Sequence, residues 1–538
     1  AFQNFVTTLE KNQVEYDLGS ENIIKDRGSV ENGKFVVGRC SYSTVVLPPM
    51  IENIDLETYK LLEKFVVNGG KIIAFSLPSL VNGAPSEGLN QFLAKQADKI
   101  IIESTLTDEV INRHFRNKDI DFTGLPAGSL YHHRRILADG QIVFIANSSP
   151  GNTVSGVFKV RGKGCSLLNT ISGDITECMY TKDGEYLTVP VDLPPAGSML
   201  VFINDRNTRE LPVEKSQVEY ETIVTDSQLI VKAAKENVLP LEFCDIELGG
   251  VLTKDMHTYN AADKIYKYYG FRNGNPWNTS VQFRTRTVDR DTFGTNTGFS
   301  ATYHFTIKNG FDFSSMKAVI ERPDLWQVTL NETEIRPSAG EWWLDREFSV
   351  FHIGSLVRKG DNVITLKTSP FRVHAEVEPV YITGDFTVNP EAKGWSIDAP
   401  AGSLSPGSWK EQGFPFYSWN FVYSKEFRVE DPEGEYIIEL GKWSGTVSEV
   451  EVNGEKAGFI GFPPYRLDLT GKLRKGSNII SVSVTGSLKN LMGPHFNDPA
   501  PGLVSPWLFR NVKTYPAGKD YQLIDYGMFS EFTLLKSK

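Results

Sequence analysis

Cysteine is scarce and poorly spaced for metal binding. The 538 residues hold 4 cysteines, Cys40, Cys165, Cys178 and Cys244. None forms a Cys-x-x-Cys pair, which argues against a zinc site. Cys165 and Cys178 can either close a hairpin disulfide or stay as buried thiols, so cysteine usage leaves the compartment open. No apolar run approaches the ~20 residues of a membrane-spanning helix. No signal-peptide pattern opens the chain, which starts at Ala1 rather than Met. The sequence therefore reads as mature, cytosolic or a fragment, and Ala1 favours a processed origin.

Basic charge is also wanting. The formal net charge is −10. A phosphate-binding surface needs a basic patch, and only short runs such as "HHRR" (His132 to Arg135) occur, which argues against nucleic acid as a partner. No Gly-x-Gly-x-x-Gly loop follows a strand, so no dinucleotide site is expected. No Gly-x-Ser-x-Gly elbow appears, and the scattered Ser and His residues suggest no triad. His132 and His133 are adjacent, so in an extended strand they point to opposite sides and make a poor metal pair.

What is present is ordinary for a soluble globular protein: 40% apolar and 23% charged residues,. The length implies three to five domains. Aromatics reach 12%, with 20 Tyr and 9 Trp. Such residues suit β-strands and also the flat faces of sugars.

The first ~115 residues have an α/β texture. Phe2, Phe5, Val6 and Leu9 fall on one helical face. "STVVLPPM" is an apolar strand stopped by Pro48 and Pro49. A helical pattern starting near Asp55 ends at Asn68-Gly69-Gly70 and enters the strand "KIIAF",. Strand, helix, glycine turn and strand make a βαβ unit with a parallel sheet. The chain opens on a helix with no strand before it, which suggests a start inside a larger protein. From about Gln141 short alternating runs separated by Gly, Pro, Asn and Asp indicate a small β-sandwich ending near Asn204. "NDRNTRELPVEKSQ" reads as a linker.

A repeat follows. "WQVTLNETEI" leads to "LVRKGDNVITL", and later "SEVEVNGEKAG" leads to "KLRKGSNIISV". Each copy has a strand, an Asn-containing turn, a loop of variable length, and Lys-Gly-x-Asn before another strand. Gly360 and Gly476 supply positive φ for a tight turn, and Asn362 and Asn478 can bond nearby backbone. The phrase is structural punctuation. It predicts two superposable domains, with Asn331 equivalent to Asn453 and Gly360 to Gly476.

The two copies resemble the jelly-roll sugar-binding domains of glycoside hydrolase family 2 and its relatives. "VVLPPMIENIDLETYKLLEKFVVNGGKIIAF" resembles the amidotransferase-like α/β domain that follows the catalytic barrel in several large glycosidases. "IVFIANSS", "LLNTISGDI" and "VDLPPAGSMLVFI" are similar to the small β-domain after it. In this order the pieces resemble the C-terminal part of family 106 glycoside hydrolases, whose activity is α-L-rhamnosidase. The resemblance implies a mostly β, multidomain chain. Residues 1–120 form a flavodoxin- or amidotransferase-like α/β domain and 121–205 a small β-sandwich. Residues 206–390 and 391–538 form two galactose-binding-like jelly rolls. It further implies a carbohydrate partner, a periplasmic or extracellular location, and a catalytic (β/α)₈ barrel N-terminal to these domains. Nothing here matches that barrel, so no family carboxylate can be placed. No cofactor is implied, and a structural calcium ion is left open, as are metal sites in general.

Candidate sugar-binding residues cluster in three places. In "EWWLDRE", Trp342 and Trp343 offer a flat apolar face, and Glu341 and Asp345 can accept hydroxyl hydrogen bonds; the plainer reading is a strand start with one Trp in the core. In "GSWKEQGFPFYSWNFVYSKEF", Trp419, Phe421 and Tyr423 alternate as a core face, while Trp409 and Tyr417 lie nearer the loop and are better ligand candidates. "GPHFNDP" sets His495, Asn497 and Asp498 between prolines, either at a sugar site, at a barrel interface or as a cap on a sandwich. Three functions compete: the non-catalytic C-terminal region of a glycoside hydrolase, a self-contained glycosidase with carboxylates in the jelly rolls, and a non-catalytic surface glycan-binding protein.

Overall fold

The computed structural model describes residues 2–538 except 117–118, 123, 126–127, 207–218, 280, 282–283, 286, 291–292, 497–507, 510–511 and 513. The chain is mostly β and divides into two compact units, Ala1–Gln217 with Phe462–Pro464, and Val218–Gly461 with Tyr465–Lys538.

The first unit begins with helix Phe2–Lys11, which buries Phe5 and Leu9 and leaves Phe2 exposed. Strands Thr44–Leu47, Lys71–Ala74 and Ile100–Ile102 form a parallel sheet in that order. Helix Leu56–Val67 crosses between the first two and buries Leu62, Phe65 and Val66 against them. Apolar residues at helical spacing, with Gly69 at φ +86° after the last turn, make this crossover,. One element escaped the sequence reading. Gly28–Glu31, Lys34–Val37 and Cys40–Tyr42 form an antiparallel sheet ahead of the parallel one. Its signal is Asn32-Gly33, both at positive φ (49° and 72°), the dipeptide that closes two-residue hairpins,.

Beyond this lies a two-sheet sandwich. One sheet runs Ile120–Asp121, Val154–Arg161, Tyr186–Leu193, Thr181–Asp183. The other runs Leu130–Leu137, Gly140–Asn147, Ser198–Asn204, Gly164–Leu168, Ile175–Glu177. Leu130, Val143, Phe158, Leu187 and Val201 fill the space between them, and Cys165 and Cys178 join this core as thiols. His132 reaches Glu15 at 3.3 Å, and Arg134 binds both oxygens of Glu15 at 2.6 and 2.5 Å. Burial alone would raise the Glu15 carboxyl, but the bonds from His132 and Arg134 and the Arg134 charge bring it down to about 2,.

In the second unit the repeated phrase becomes a repeated fold. Phe299–Ile307, Gly360–Thr368, Gln327–Leu330 and Thr333–Glu334 neighbour one another in that order in one sheet. Asn420–Val429, Gly476–Thr485, Val447–Val452 and Glu455–Ile460 repeat the order in another. The turns share the same Asn–Asn framework of bonds. Asn331 (φ 48°) and Asn453 (φ 54°) both sit left-handed, as do Gly360 (90°) and Gly476 (95°). Asn331 Nδ2 donates to Asn362 Oδ1 at 2.9 Å, and Asn453 Nδ2 to Asn478 Oδ1 at 3.0 Å. Each buried Asn also donates twice, to Arg358 O and Gly360 O in one copy and to Arg474 O and Gly476 O in the other. Each accepts as well from the backbone N–H of Arg358 or Arg474 at 2.9 Å. All four capacities of the amide are used, so the residue can be only Asn. Replacing Asn478 by Ala strands several buried backbone groups. We expect a loss of about 2–4 kcal/mol, read as a lower denaturant midpoint with unchanged m-value. A variant within about 0.5 kcal/mol of the parent would refute this role.

Candidate functional site

The sheet that builds the candidate site runs Asn237–Leu241, Val380–Gly384, Lys317–Glu321, Asp345–His352, Trp342–Trp343. Its register puts Lys317 opposite both Thr383 and His352, and Val319 opposite both Tyr381 and Val350. Side chains alternate along a strand, so these six share one face. A cavity of about 300 Å³ opens there, with Val319, Val350 and Thr383 at its base. Trp342, Trp343, Glu341, Glu236 and Lys317 also line it.

The two tryptophans are set by a strained turn. Leu344 has φ +64°, between Trp343 and Asp345, and the pairing slips there from Trp342↔Ser349 to Trp343↔Asp345. A bulky residue in the left-handed region is uncommon and costs conformational energy. The result is that Trp342 remains 54% exposed. Trp343 folds back, with its ring 5.2 Å from Tyr381 and edge-on to Trp419 at 6.3 Å. Lys235 Nζ lies 4.2 Å from the Trp419 ring, a cation–π contact. The polar groups come in pairs. Lys317 Nζ donates to both Glu236 oxygens at 2.9 and 3.0 Å, and His352 Nε2 meets the two Glu341 oxygens at 3.2 and 3.0 Å. An indole face beside carboxylates with lone pairs to spare suits a ligand with one apolar face and several hydroxyls.

The structure treats the other sequence candidates differently. Asp345 is exposed and is not among the cavity-lining residues. Trp409 and Tyr417 correct the expectation of a ligand face. They are 1% and 0% exposed, and Trp409 stacks on Phe421 at 4.6 Å while its Nε1 donates to Tyr423 Oη at 2.9 Å. Phe421 and Tyr423 are core, as their alternation implied, and the partly buried Trp419 packs against the same cluster while touching Trp343 edge-on. His495 is also corrected. It is 1% exposed, with Nδ1 2.9 Å from both Glu242 oxygens and Nε2 2.8 Å from Asn490 O. Both ring nitrogens are taken up inside the core, by Glu242 and by Asn490 O, so this is a buried His–carboxylate pair and not a ligand-facing loop. Burial would raise Glu242, but the charge and hydrogen bond of His495 hold it below its ordinary value. Asn497 and Asp498 lie outside the described residues. Among the described residues no group of three or more His, Cys, Asp or Glu is arranged to hold a metal ion.

Glu236 and Lys317, which line the groove, and His352, which meets Glu341 there, are site residues that sequence reasoning missed. Nothing local marks them; sheet order and packing bring them together. A separate carboxyl cluster was also missed. Glu378 sits well above the ordinary carboxyl range through burial and then through Glu376 and Glu321. Glu376 is raised too, chiefly by burial, and accepts from Asn275 Nδ2. Glu321 is raised by burial and by Asp345 and Glu347. None of the three lines the groove.

Comparison with known proteins adds the following. Residues 7–182 match the family 106 glycoside hydrolase model, described as alpha-L-rhamnosidase. Over 95% of the chain, the sequence is 21% identical to a Formosa agariphila protein provisionally named a beta-glucuronidase. The chain spans about half of that relative, 52% of its length. A solved rhamnosidase from Novosphingobium sp. PP1Y aligns over 97% of this chain and 36% of its own, with 14% identity and a TM-score of 0.48. The Streptomyces avermitilis alpha-L-rhamnosidase solved with L-rhamnose aligns over 74% and 31%, with 12% identity and a TM-score of 0.21. Among the described residues no helix is long and apolar enough to cross a membrane. The chain is thus similar to glycoside hydrolases, over residues 7–182 to the family 106 model and over most of its length to the curated relative.

Proposed function

We propose that this chain is the non-catalytic, carbohydrate-binding or barrel-supporting C-terminal portion of a longer α-L-rhamnosidase-like enzyme. That enzyme would act outside the cytoplasm on plant-type or complex glycans. The groove beside the exposed Trp342 carries the reading, because an indole held at a cavity rim is how proteins meet the apolar face of a sugar ring,. In this reading the two repeated sandwiches are jelly rolls and the catalytic carboxylates belong to a barrel upstream. The length of chain that the curated relative has beyond this one is consistent with that.

The raised carboxyls favour a second reading, a self-contained glycosidase. A protonated Glu378 beside Glu376 has the character of a general acid, and glycoside hydrolysis needs two positioned carboxyl groups,. One experiment separates the two. The purified chain is incubated with aryl α-L-rhamnosides and pectic oligosaccharides, with and without calcium. We expect retention of oligosaccharide and no turnover above buffer, since glycosidic bonds are inert without positioned acid and base groups. Turnover that disappears in Glu378→Gln, Glu341→Gln or Asp345→Asn would replace the first reading with the second.

A further inference from the structure

The sandwich of the first unit has one outer sheet face that is apolar where such a face is ordinarily polar. Its five-stranded sheet turns Val143, Ile145, Val201 and Ile203 into the core. Side chains alternate along a strand, so the residues between them stand on the opposite face. The register aligns that face in cross-strand rows. One row holds Phe144, Leu200, Leu168 and Ile175. The next runs Arg135, Ile142, Phe202, Ser166, Glu177. Phe144 is 37% exposed and Ile175 71%. Among the described residues, no apolar side chain of either row belongs to a buried cluster or packs against one. A contiguous apolar patch left at the surface marks an interaction site.

The charges at its edges say what covers it. The second row starts at Arg135 on one edge strand and ends at Glu177 on the other, with Phe202 of the middle strand between them. Both end residues are exposed, and among the described residues neither is in an ion pair. A two-fold axis parallel to the middle strand, Ser198–Asn204, reverses each row onto itself. It sets Arg135 of each copy over Glu177 of the other, Phe144 over Leu168, and Leu200 and Phe202 over their own counterparts. Opposite charges at the two ends of one row are what a self-complementary face requires. Sheets stacked face to face lie ~10 Å apart and cross at ~30°, an offset that Arg and Glu side chains are long enough to span. Five strands at ~4.8 Å spacing, each about six residues of ~3.4 Å, cover roughly 24 by 20 Å,. A pair would bury about 1,000 Å² in all, at the lower bound for a specific interface, so the association should be weak and concentration-dependent.

We infer that this face is a dimer interface, taken by a second copy of the chain across a two-fold axis parallel to the strands. The inference does not rest on what the groove at Trp342 binds.

The test follows the full chain by sedimentation equilibrium and small-angle scattering from low micromolar to near millimolar concentration. We expect a reversible monomer–dimer equilibrium. Phe144→Asp should weaken it by roughly tenfold or more, because it charges a contact inside the apolar strip. Arg135→Glu and Glu177→Arg should each weaken it by bringing like charges together. The double variant, Arg135→Glu with Glu177→Arg, should restore it, because the swapped pair still matches across the axis. A merely structural role for either residue gives no such rescue, and circular dichroism of every variant checks the fold. A chain that stays monomeric throughout overturns the inference, and so does a dimer indifferent to Phe144→Asp. Failure of the double variant to restore association overturns the two-fold arrangement. If the longer enzyme proposed above stays monomeric where this chain dimerises, the face belongs to its added segment, and the second copy is overturned as occupant.

Discussion

Alanine at both Trp342 and Trp343 will weaken glycan binding at the groove by at least about 30-fold, corresponding to the ~2 kcal/mol that a buried aromatic anchor commonly contributes. The two indoles play different parts. Trp342 is more than half exposed and has its face to offer, so Trp342→Ala removes ligand contact with little cost to the fold. Trp343 is braced by Tyr381 and Trp419, so its loss also loosens the wall. Trp342→Phe should restore part of the affinity, because a smaller ring keeps the apolar face. Calorimetric titration reads the affinity, and the thermal midpoint of Trp342→Ala controls for folding. Unchanged affinity in the double variant would remove the groove from the function altogether.

Glu242→Gln will destabilise the second unit by about 3–5 kcal/mol, the usual cost of leaving half of a buried ion pair. His495, 253 residues away in sequence, would face a neutral amide in place of its carboxylate partner in a site closed to water. The same region makes the unit acid-labile. His257 is held below its ordinary value, first by burial and then, more weakly, by the charge of His495, with Glu242 opposing. Its Nδ1 accepts from the Tyr259 N–H, so the neutral ring is the native form. A histidine lowered in the fold binds fewer protons there than when unfolded, so its contribution is lost as pH falls below ~6.5. Glu242 is lowered as well, and its contribution is present above ~4.3 and lost on further acidification,. Lys489 also lowers Glu242, and Tyr515 and Tyr521, both raised chiefly by burial and then by the Glu242 charge, stay protonated over this range. Chemical denaturation at pH 7.5, 6, 5 and 4 should show stability falling at each step, with the loss below pH 5 reduced in Glu242→Gln. A flat profile would contradict both assignments.

Several of these features were legible before any coordinates. The Lys-Gly-x-Asn phrase could be read because it is local: a glycine at φ near +90° and an Asn within four residues of the groups it binds write their own turn. The βαβ crossover was legible for the same reason, with helix periodicity and a glycine stop in one short stretch. The errors have the opposite character. Trp409 and Tyr417 look like loop aromatics, and only the closing of the sandwich puts Phe421, Tyr423 and Tyr526 around them. His495 stands between prolines like a surface residue until Glu242 arrives from the start of the unit.

The sequence by itself determined the repeat, its turns, the strand-rich character and the location of one exposed indole, because backbone conformation at Gly and Asn and alternation along a strand are decided within a few residues. Only the tertiary structure decided that Trp342 faces Lys317 and Glu236 across a groove, that Asp245 meets His304, and that His495 is buried on Glu242. Each of these pairings joins strands or loops far apart in the chain, and strand order, together with the exclusion of water from the packed core, sets which of them meet,.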